Sequence, residues 1–145
     1  VELPPGTSLL DGGTLGLDLL PLISDARALL LVDAIGGGRA PGAVEVIRGD
    51  ALREAQAGHI LPHRVGVGDL LATARLMGAL PGAVTLVGIQ PSEIAVGLEL
   101  TEVVRAAVPE AVAAALHELR RLDAIASAPG PGSGAGGRDV KGAAA

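Results

Sequence analysis

Asp33 and His63 are the two residues of this sequence whose types and positions best suit metal-ion or proton chemistry. Asp33 follows an apolar run typical of a buried strand, and a carboxylate there could bind a metal, act as a general base or cap a turn. His63 follows Pro62 at the start of a predicted helix, where the helix dipole favours neutral imidazole, the metal-binding form. A surface histidine in a first turn is the plainer interpretation of His63, and His59 competes with it from a more flexible loop.

Two further motifs carry weaker chemical signals. Asp11 stands before Gly12 and Gly13, so it could belong to a site at a strand end or simply organise the turn. His117 begins the segment HELRR, which departs from the zinc motif H-E-x-x-H because an arginine replaces the second histidine. One helical face then offers a single imidazole, so we expect His117 to be a solvated or boundary residue. The sequence has neither a phosphate-cradling G-x-x-x-x-G-K loop nor a G-x-S-x-G hydrolase elbow.

Strand-like and helix-like segments alternate along the chain and would position these residues. The predicted strands are residues 7–10, 28–32, 43–47 and 83–89, and the predicted helices are residues 15–24, 62–77 and 102–122. Strands separated by helices predict an α/β fold, a three-layer α/β/α sandwich with a mostly parallel sheet. Ligands of such sheets bind beyond the carboxyl ends of the strands, which directs attention to the residues after Leu10, Val32 and Ile89.

Local patterns add detail to three of these elements. Residues 28–32 are continuously apolar, which predicts a strand covered on both faces, whereas the alternation around Glu45 predicts an edge strand. Thr101 is expected to cap the last helix, and Pro109 to kink or restart it. Apolar residues at spacings of three or four predict one buried face of that helix, formed by Val104, Val108, Val112, Leu116 and Leu119.

The composition argues against several function classes. The 145 residues include no aromatic residue and carry a net charge of −5, which is unsuited to stacking on bases or tracking phosphates, so no nucleic-acid partner is expected. The absence of cysteine removes thiolate ligands and a cysteine nucleophile and fits a cytoplasmic protein. The apolar runs are too short for a membrane-spanning helix, so no membrane insertion is expected. Residues 1–126 are predicted to form one domain, and residues 127–145, rich in Gly, Pro and Ala, a disordered tail.

Four segments, in this order, resemble the hydrogenase maturation endopeptidases, which process the large subunit of nickel–iron hydrogenases. The segments are DGGTLGLDLL at residues 11–20, LVDA at 31–34, PHRVGVGDLL at 62–71 and LVGIQP at 86–91. They resemble the family's D-G-G-T-x-G-x-x-L-L segment, strand-end aspartate, P-H-x-x-G-x-x-D-L-L helix start and L-V-G-x-x-P strand. With the weaker match of APG at 40–42, the resemblance spans roughly residues 7–122.

The resemblance implies a cytoplasmic, aspartic-type endopeptidase that removes a C-terminal extension from the hydrogenase large-subunit precursor once nickel has been inserted. It also implies that Asp33 and His63 contact nickel, which belongs to the substrate and need not be held by the free enzyme. The turn that would lie nearby and help to hold the peptide consists of Asp11, Gly12, Gly13 and Thr14. No residue is assigned as the group that activates water.

The sequence departs from the family at its N-terminus. Family members begin with a strand, a G-x-G-N-type loop and an acidic metal ligand, and this chain starts after them. We therefore expect an N-terminally truncated family member that lacks the family's first strand and helix. Its sheet would be open in the middle, and its 145-residue form weak or inactive. Two alternatives remain: a non-catalytic α/β protein that binds the precursor without cutting it, and an unrelated α/β ligand-binding domain.

Overall fold

The computed structural model describes residues 2–13, 15–52 and 67–128. After an irregular N-terminal segment, a 3-10 helix at Gly16–Leu19 leads into the short helix α1 at Leu20–Ile23. The remaining elements are β1 at Ala28–Ala34, β2 at Val44–Arg48, α2 at Val67–Leu76, β3 at Ala83–Ile89 and α3 at Glu102–Ser127. Residues 49–52 are also helical. Strands and helices alternate, so the predicted α/β fold is confirmed.

The layers of the fold are defined by β3, because neighbouring side chains of a strand point to opposite faces of the sheet. On one face Leu86 packs with Leu71 of α2 in an aliphatic cluster. Thr85, the adjacent position, accepts a hydrogen bond from Arg121 of α3 on the other face. The helices α2 and α3 therefore cover opposite faces, which gives the predicted three-layer arrangement. None of the helices in the described ranges is long and apolar enough to cross a membrane.

The sheet of the described residues has three strands in the order β1-β3-β2 and is mixed. β1 pairs with β3 in parallel, whereas β2 pairs with β3 antiparallel at the edge, where its sequence predicts it to lie. The described sheet is therefore mixed and not purely parallel, with its antiparallel pair at the edge. A parallel crossover takes about a dozen residues or more, but only residues 35–43 separate β1 from β2. Within them a turn closes through a hydrogen bond from Ala43 N to Ala40 O at 3.0 Å, with Gly42 at a φ of +83°.

The N-terminal part of the chain differs most from prediction. Residues 7–10 are not a strand, because they pair with none of the described strands, and Leu9 is 86% exposed. Within the described ranges β1 is paired along one edge only, and Val32 is 59% exposed, so this strand is not covered on both faces. The predicted helix 15–24 begins instead as a 3-10 helix at Gly16–Leu19 and is α-helical only at Leu20–Ile23.

α3 runs without interruption from Glu102 to Ser127, so the predicted restart at Pro109 does not occur. The helix packs against all three strands, which offsets the backbone hydrogen bond that a proline cannot donate. Its buried positions are Ala107, Ala111, Glu118 and Leu122. The buried face is thus rotated by one residue from the predicted one, and Val112 is 44% exposed.

The remaining predictions concern the two ends of α3 and the start of the predicted helix at residues 62–77. Thr101 occupies the N-cap position of α3 but makes no capping hydrogen bond, and its Oγ1 instead accepts one from Ser92 Oγ at 3.2 Å. At the other end, α3 continues to Ser127, which was predicted to begin the tail. Residues 129–145, which make up the rest of that tail, and the predicted helix start at residues 62–66 lie outside the described residues.

Candidate functional site

Asp33 is the penultimate residue of β1, and its side chain is exposed at the carboxyl end of the strand. Its Oδ1 accepts a hydrogen bond from the backbone N–H of Ala34 at 2.7 Å. Its Oδ2 has no hydrogen-bond partner among the described residues. One oxygen therefore orients the carboxylate, and the other accepts no hydrogen bond from the part of the chain that the structure describes.

The strand end that carries Asp33 is held in place by β3. Gly88 is the register partner of Asp33, and a Cβ atom at this glycine would lie 2.5 Å from Cγ1 of Ile35 and 2.6 Å from its Cγ2. Ile35 is only 1% exposed and has no room to move aside. Its backbone N–H donates to the carbonyl of Ile89 at 3.0 Å. A glycine on β3 therefore allows the chain just beyond Asp33 to pack into the core.

Gln90 binds both ends of the loop that follows β1, residues 36–43. At the near end, its side-chain Oε1 accepts a hydrogen bond from the backbone N–H of Gly37 at 2.9 Å. At the far end, its backbone carbonyl accepts from Gly42 N at 2.8 Å and its backbone N–H donates to Ala43 O at 2.9 Å. The loop beside Asp33 is thus closed on a single residue at the carboxyl end of β3.

Asp11 organises the turn that follows it. Its Oδ1 accepts a hydrogen bond from the backbone N–H of Gly13 at 3.0 Å, and Gly13 has a φ of +44°. A second hydrogen bond, from Leu15 N to Gly12 O at 3.0 Å, continues the turn into the 3-10 helix. Of the two interpretations of Asp11, the structure shows the turn-organising one, and a contact with substrate stays a prediction.

Replacing Asp11 by alanine is expected to lower the free energy of unfolding by about 0.5–1 kcal/mol, because the N–H of Gly13 loses its acceptor at an exposed site. Asparagine retains Oδ1, so Asp11→Asn is expected to stay within about 0.5 kcal/mol of the wild type. Urea unfolding followed by far-ultraviolet circular dichroism measures both. Equal losses in the two variants would show that the turn does not depend on this acceptor.

Within the described ranges the contacts among the predicted site residues are confined to the turn at residues 11–13. No hydrogen bond or ion pair joins Asp11 to Asp33 there. Thr14, His59 and His63 lie outside the described residues, so the pairing of Asp33 with His63 stays a prediction. In residues 2–13, 15–52 and 67–128 no group of three or more His, Cys, Asp or Glu side chains could hold a metal ion.

A buried ion network on α3 was missed at the sequence level. His117 is exposed, as predicted, but its neighbour Glu118 is 1% exposed and faces the sheet. Arg48 of β2 donates to both carboxylate oxygens, from Nε to Oε2 at 2.9 Å and from Nη2 to Oε1 at 2.5 Å. Arg121 donates from Nε to Oε2 at 2.7 Å and from Nη2 to Thr85 Oγ1 at 2.8 Å. The i,i+3 spacing of Glu118 and Arg121 was the available signal.

These contacts determine the charge state of Glu118. The pKa of the Glu118 carboxyl is lowered from 4.5 to about 2, mainly by the hydrogen bonds from Arg48 and also by Arg121, although burial acts in the opposite direction. The same pairing raises the pKa of Arg48. Glu118 is therefore ionised at neutral pH and joins α3 to β2 and β3. Its partners among the described residues are Arg48 and Arg121, which hold elements of the fold together and assign Glu118 a structural role.

Comparisons with known proteins give a consistent match. The sequence profile of the family described as "HycI: Hydrogenase maturation protease" matches residues 1–118, which include Asp33 and the turn at residues 11–13. The hydrogenase expression/formation protein HupD of Rhodobacter capsulatus is 40% identical over 120 residues, which are 81% of this chain and 57% of that protein. The chain thus spans less than two thirds of the length of this relative.

Two matches from Escherichia coli extend the likeness to a solved structure. The hydrogenase 2 maturation protease of strain K12 is 34% identical over 119 residues, which are 81% of this chain and 73% of that protein. The solved structure of the hydrogenase maturating endopeptidase HybD is 33% identical, with a TM-score of 0.72 over 83% of this chain and 75% of that chain. Sequence and fold therefore agree on the same group of proteins.

Proposed function

The chain belongs to the hydrogenase maturation protease family, and from that premise we propose that it is an endopeptidase that removes the C-terminal extension of the nickel-loaded hydrogenase large-subunit precursor. The single observation that supports this best is the exposed carboxylate of Asp33 at the carboxyl end of β1, inside the family match. We place the reaction in the cytoplasm and assign it to the aspartic type, as the family resemblance implies.

Asp33 and His63 are proposed to contact the nickel ion of the precursor. A carboxylate and an imidazole suit nickel, which accepts oxygen and nitrogen ligands. Oδ1 of Asp33 accepts a hydrogen bond from Ala34 N, while Oδ2 of this exposed side chain has no partner in the described part of the chain. A carboxylate held in this way can add one ligand to a metal ion that arrives already bound to the substrate. The nickel then acts as a recognition element, because only a loaded precursor presents it.

The turn of Asp11, Gly12, Gly13 and Thr14 is proposed to hold the peptide beside the nickel. Support comes from the match to the family's D-G-G-T segment and from the exposed side chain of Asp11. The hydrogen bond from Gly13 N to Asp11 Oδ1 preorganises the turn before substrate arrives. The turn then offers the peptide a surface that is ordered before the substrate binds.

Nickel-dependent cleavage tests this function. The purified chain is incubated in excess with nickel-loaded and with nickel-free large-subunit precursor, so that even slow cleavage registers, and the precursor is followed by intact-mass spectrometry. The expected result is loss of the C-terminal extension from the loaded precursor alone.

The other outcomes of this experiment contradict the proposal in different ways. Co-purification with the loaded precursor without any loss of mass would make the chain a non-catalytic binding protein. Equal cleavage of the loaded and nickel-free precursors would remove nickel from the recognition step. If the chain neither binds nor cleaves the precursor in either nickel state, the result would favour an unrelated ligand-binding domain.

A further inference from the structure

We propose that Gln90 is a positioning residue of the candidate site, whose side-chain amide holds the loop of residues 36–43 beside Asp33. The loop begins three residues after Asp33, and the Oε1 of Gln90 accepts the hydrogen bond of Gly37 at 2.9 Å. These two residues are 53 positions apart in the sequence, so the contact joins the exits of two neighbouring strands.

The side-chain amide of Gln90 has the geometry to anchor the near end of the loop. Its Nε2 donates to the carbonyl of Pro91 at 3.2 Å, which orients the amide so that Oε1 faces Gly37. The backbone of Gln90 already secures the far end through Gly42 and Ala43. Between these ends the described interactions of the loop are the turn hydrogen bond from Ala43 N to Ala40 O and one ion pair, from Arg39 to Glu45 at 3.3 Å.

The ion pair between Arg39 and Glu45 contributes little to anchoring the loop. The side chain of Arg39 is 64% exposed and that of Glu45 is 33% exposed, and solvent-exposed ion pairs contribute little to local order. Gly38 has a φ of +69°, and a Cβ there would meet no atom within 4 Å, so packing does not hold the tip either. Order at the near end of the loop therefore depends on the acceptor oxygen of Gln90.

Trypsin cleavage between Arg39 and Ala40 reports directly on this loop. Gln90→Met removes the amide but retains a side chain of similar length, and it is expected to raise the cleavage rate at Arg39 about 3- to 5-fold, as the loss of one exposed hydrogen bond implies. Gln90→Glu retains an acceptor for Gly37 N but loses the donor to Pro91 O, so its cleavage rate is expected to lie between those of the wild type and Gln90→Met. If the side chain acted only by filling space, methionine would be the variant that preserves resistance.

Two controls keep the result specific. Ser92→Ala removes the hydrogen bond to Thr101, beyond the loop, and is expected to leave cleavage at Arg39 unchanged. Cleavage at Arg75, at the end of α2, serves as an internal reference. Equal acceleration at Arg75 and Arg39 in Gln90→Met would indicate general destabilisation and would overturn the proposal, as would unchanged cleavage at Arg39.

A second readout rests on the proposed function. If the loop guides the precursor, Gln90→Met raises the KM of processing at least about twofold with little change in kcat, because apparent affinity falls with the ordered fraction of the loop. A looser loop with unaltered KM would refute the link between the loop and the site. Absence of processing by the wild type would instead refute the proposed function, while the trypsin result would still decide the role of Gln90 in the loop.

Discussion

Asp33→Asn is expected to slow processing of the nickel-loaded precursor by about 100-fold or more. Even residues that only support a metal ligand cost roughly 10–100-fold in metal affinity or activity when replaced, so removal of a charged ligand is expected to cost at least that much. Asparagine retains Oδ1, the atom that accepts the hydrogen bond of Ala34, so the strand end keeps its conformation. The rate is measured by intact mass under single-turnover conditions.

The matched control is Asp25→Asn, which removes an exposed carboxylate from the turn before β1, at the opposite end of the strand. It is expected to process at the wild-type rate, and both variants should unfold within about 0.5 kcal/mol of the wild type. His63→Ala is expected to match the loss seen for Asp33→Asn. Normal processing by Asp33→Asn would remove Asp33 from the reaction and with it the proposed nickel contact.

Glu118→Ala is expected to lower the free energy of unfolding by about 2–4 kcal/mol. Removal of one member of a buried ion pair typically costs about 3–5 kcal/mol, because the other charge stays behind without a partner. The lower range applies here because the side chains of Arg48 and Arg121 are 50% and 33% exposed and can reach water. The chain has no Trp or Tyr, so urea unfolding is followed by circular dichroism at the helix band rather than by fluorescence.

Glu110→Ala is the matched control for Glu118→Ala. It removes an exposed carboxylate from the same helix and is expected to change stability by no more than about 0.5 kcal/mol. Similar losses in the two variants would mean that the network around Glu118 adds no stability. A much larger loss at Glu118 would confirm that this network attaches α3 to the sheet.

The network of Glu118 also predicts how stability depends on pH. Its pKa in the folded protein is lowered from 4.5 to about 2. A depressed carboxyl pKa contributes stability that is present above the unfolded value and lost as the pH falls towards the folded value. The stability difference between the wild type and Glu118→Gln should therefore shrink between pH 4.5 and pH 2. A difference that stays constant across that range would contradict this assignment.

The sequence predicted correctly the features that local patterns control. The strand at residues 83–89, the edge strand around Glu45 and the position of Asp33 near the end of β1 follow from apolar runs bounded by Gly, Pro and charged residues. The turn at Asp11 also follows from local chemistry, since a carboxylate two residues before a glycine accepts its backbone hydrogen bond. Because these features depend on a few consecutive residues, they can be predicted from a single sequence.

The errors arose where the outcome depends on residues far apart in the chain. Residues 7–10 have a strand-like sequence but no strand to pair with among the described ones. The antiparallel direction of β2 depends on a short connection and a reversing turn, which an alternating pattern does not reveal. The orientation of α3 depends on which positions fit closely against the sheet, so alanines at 107 and 111 face it instead of the larger Val112.

By itself the sequence determined the α/β class, the family and the position of Asp33 near a strand end, because each depends on residue types at short, ordered spacings. Only the tertiary structure decided that Gly88 makes room for Ile35 beside Asp33 and that Gln90 closes the following loop. It also decided that Glu118, to which the sequence assigned no role, is buried between two arginines. A side chain's partners across 36 to 70 residues are set by how the layers pack, and no local pattern records that packing.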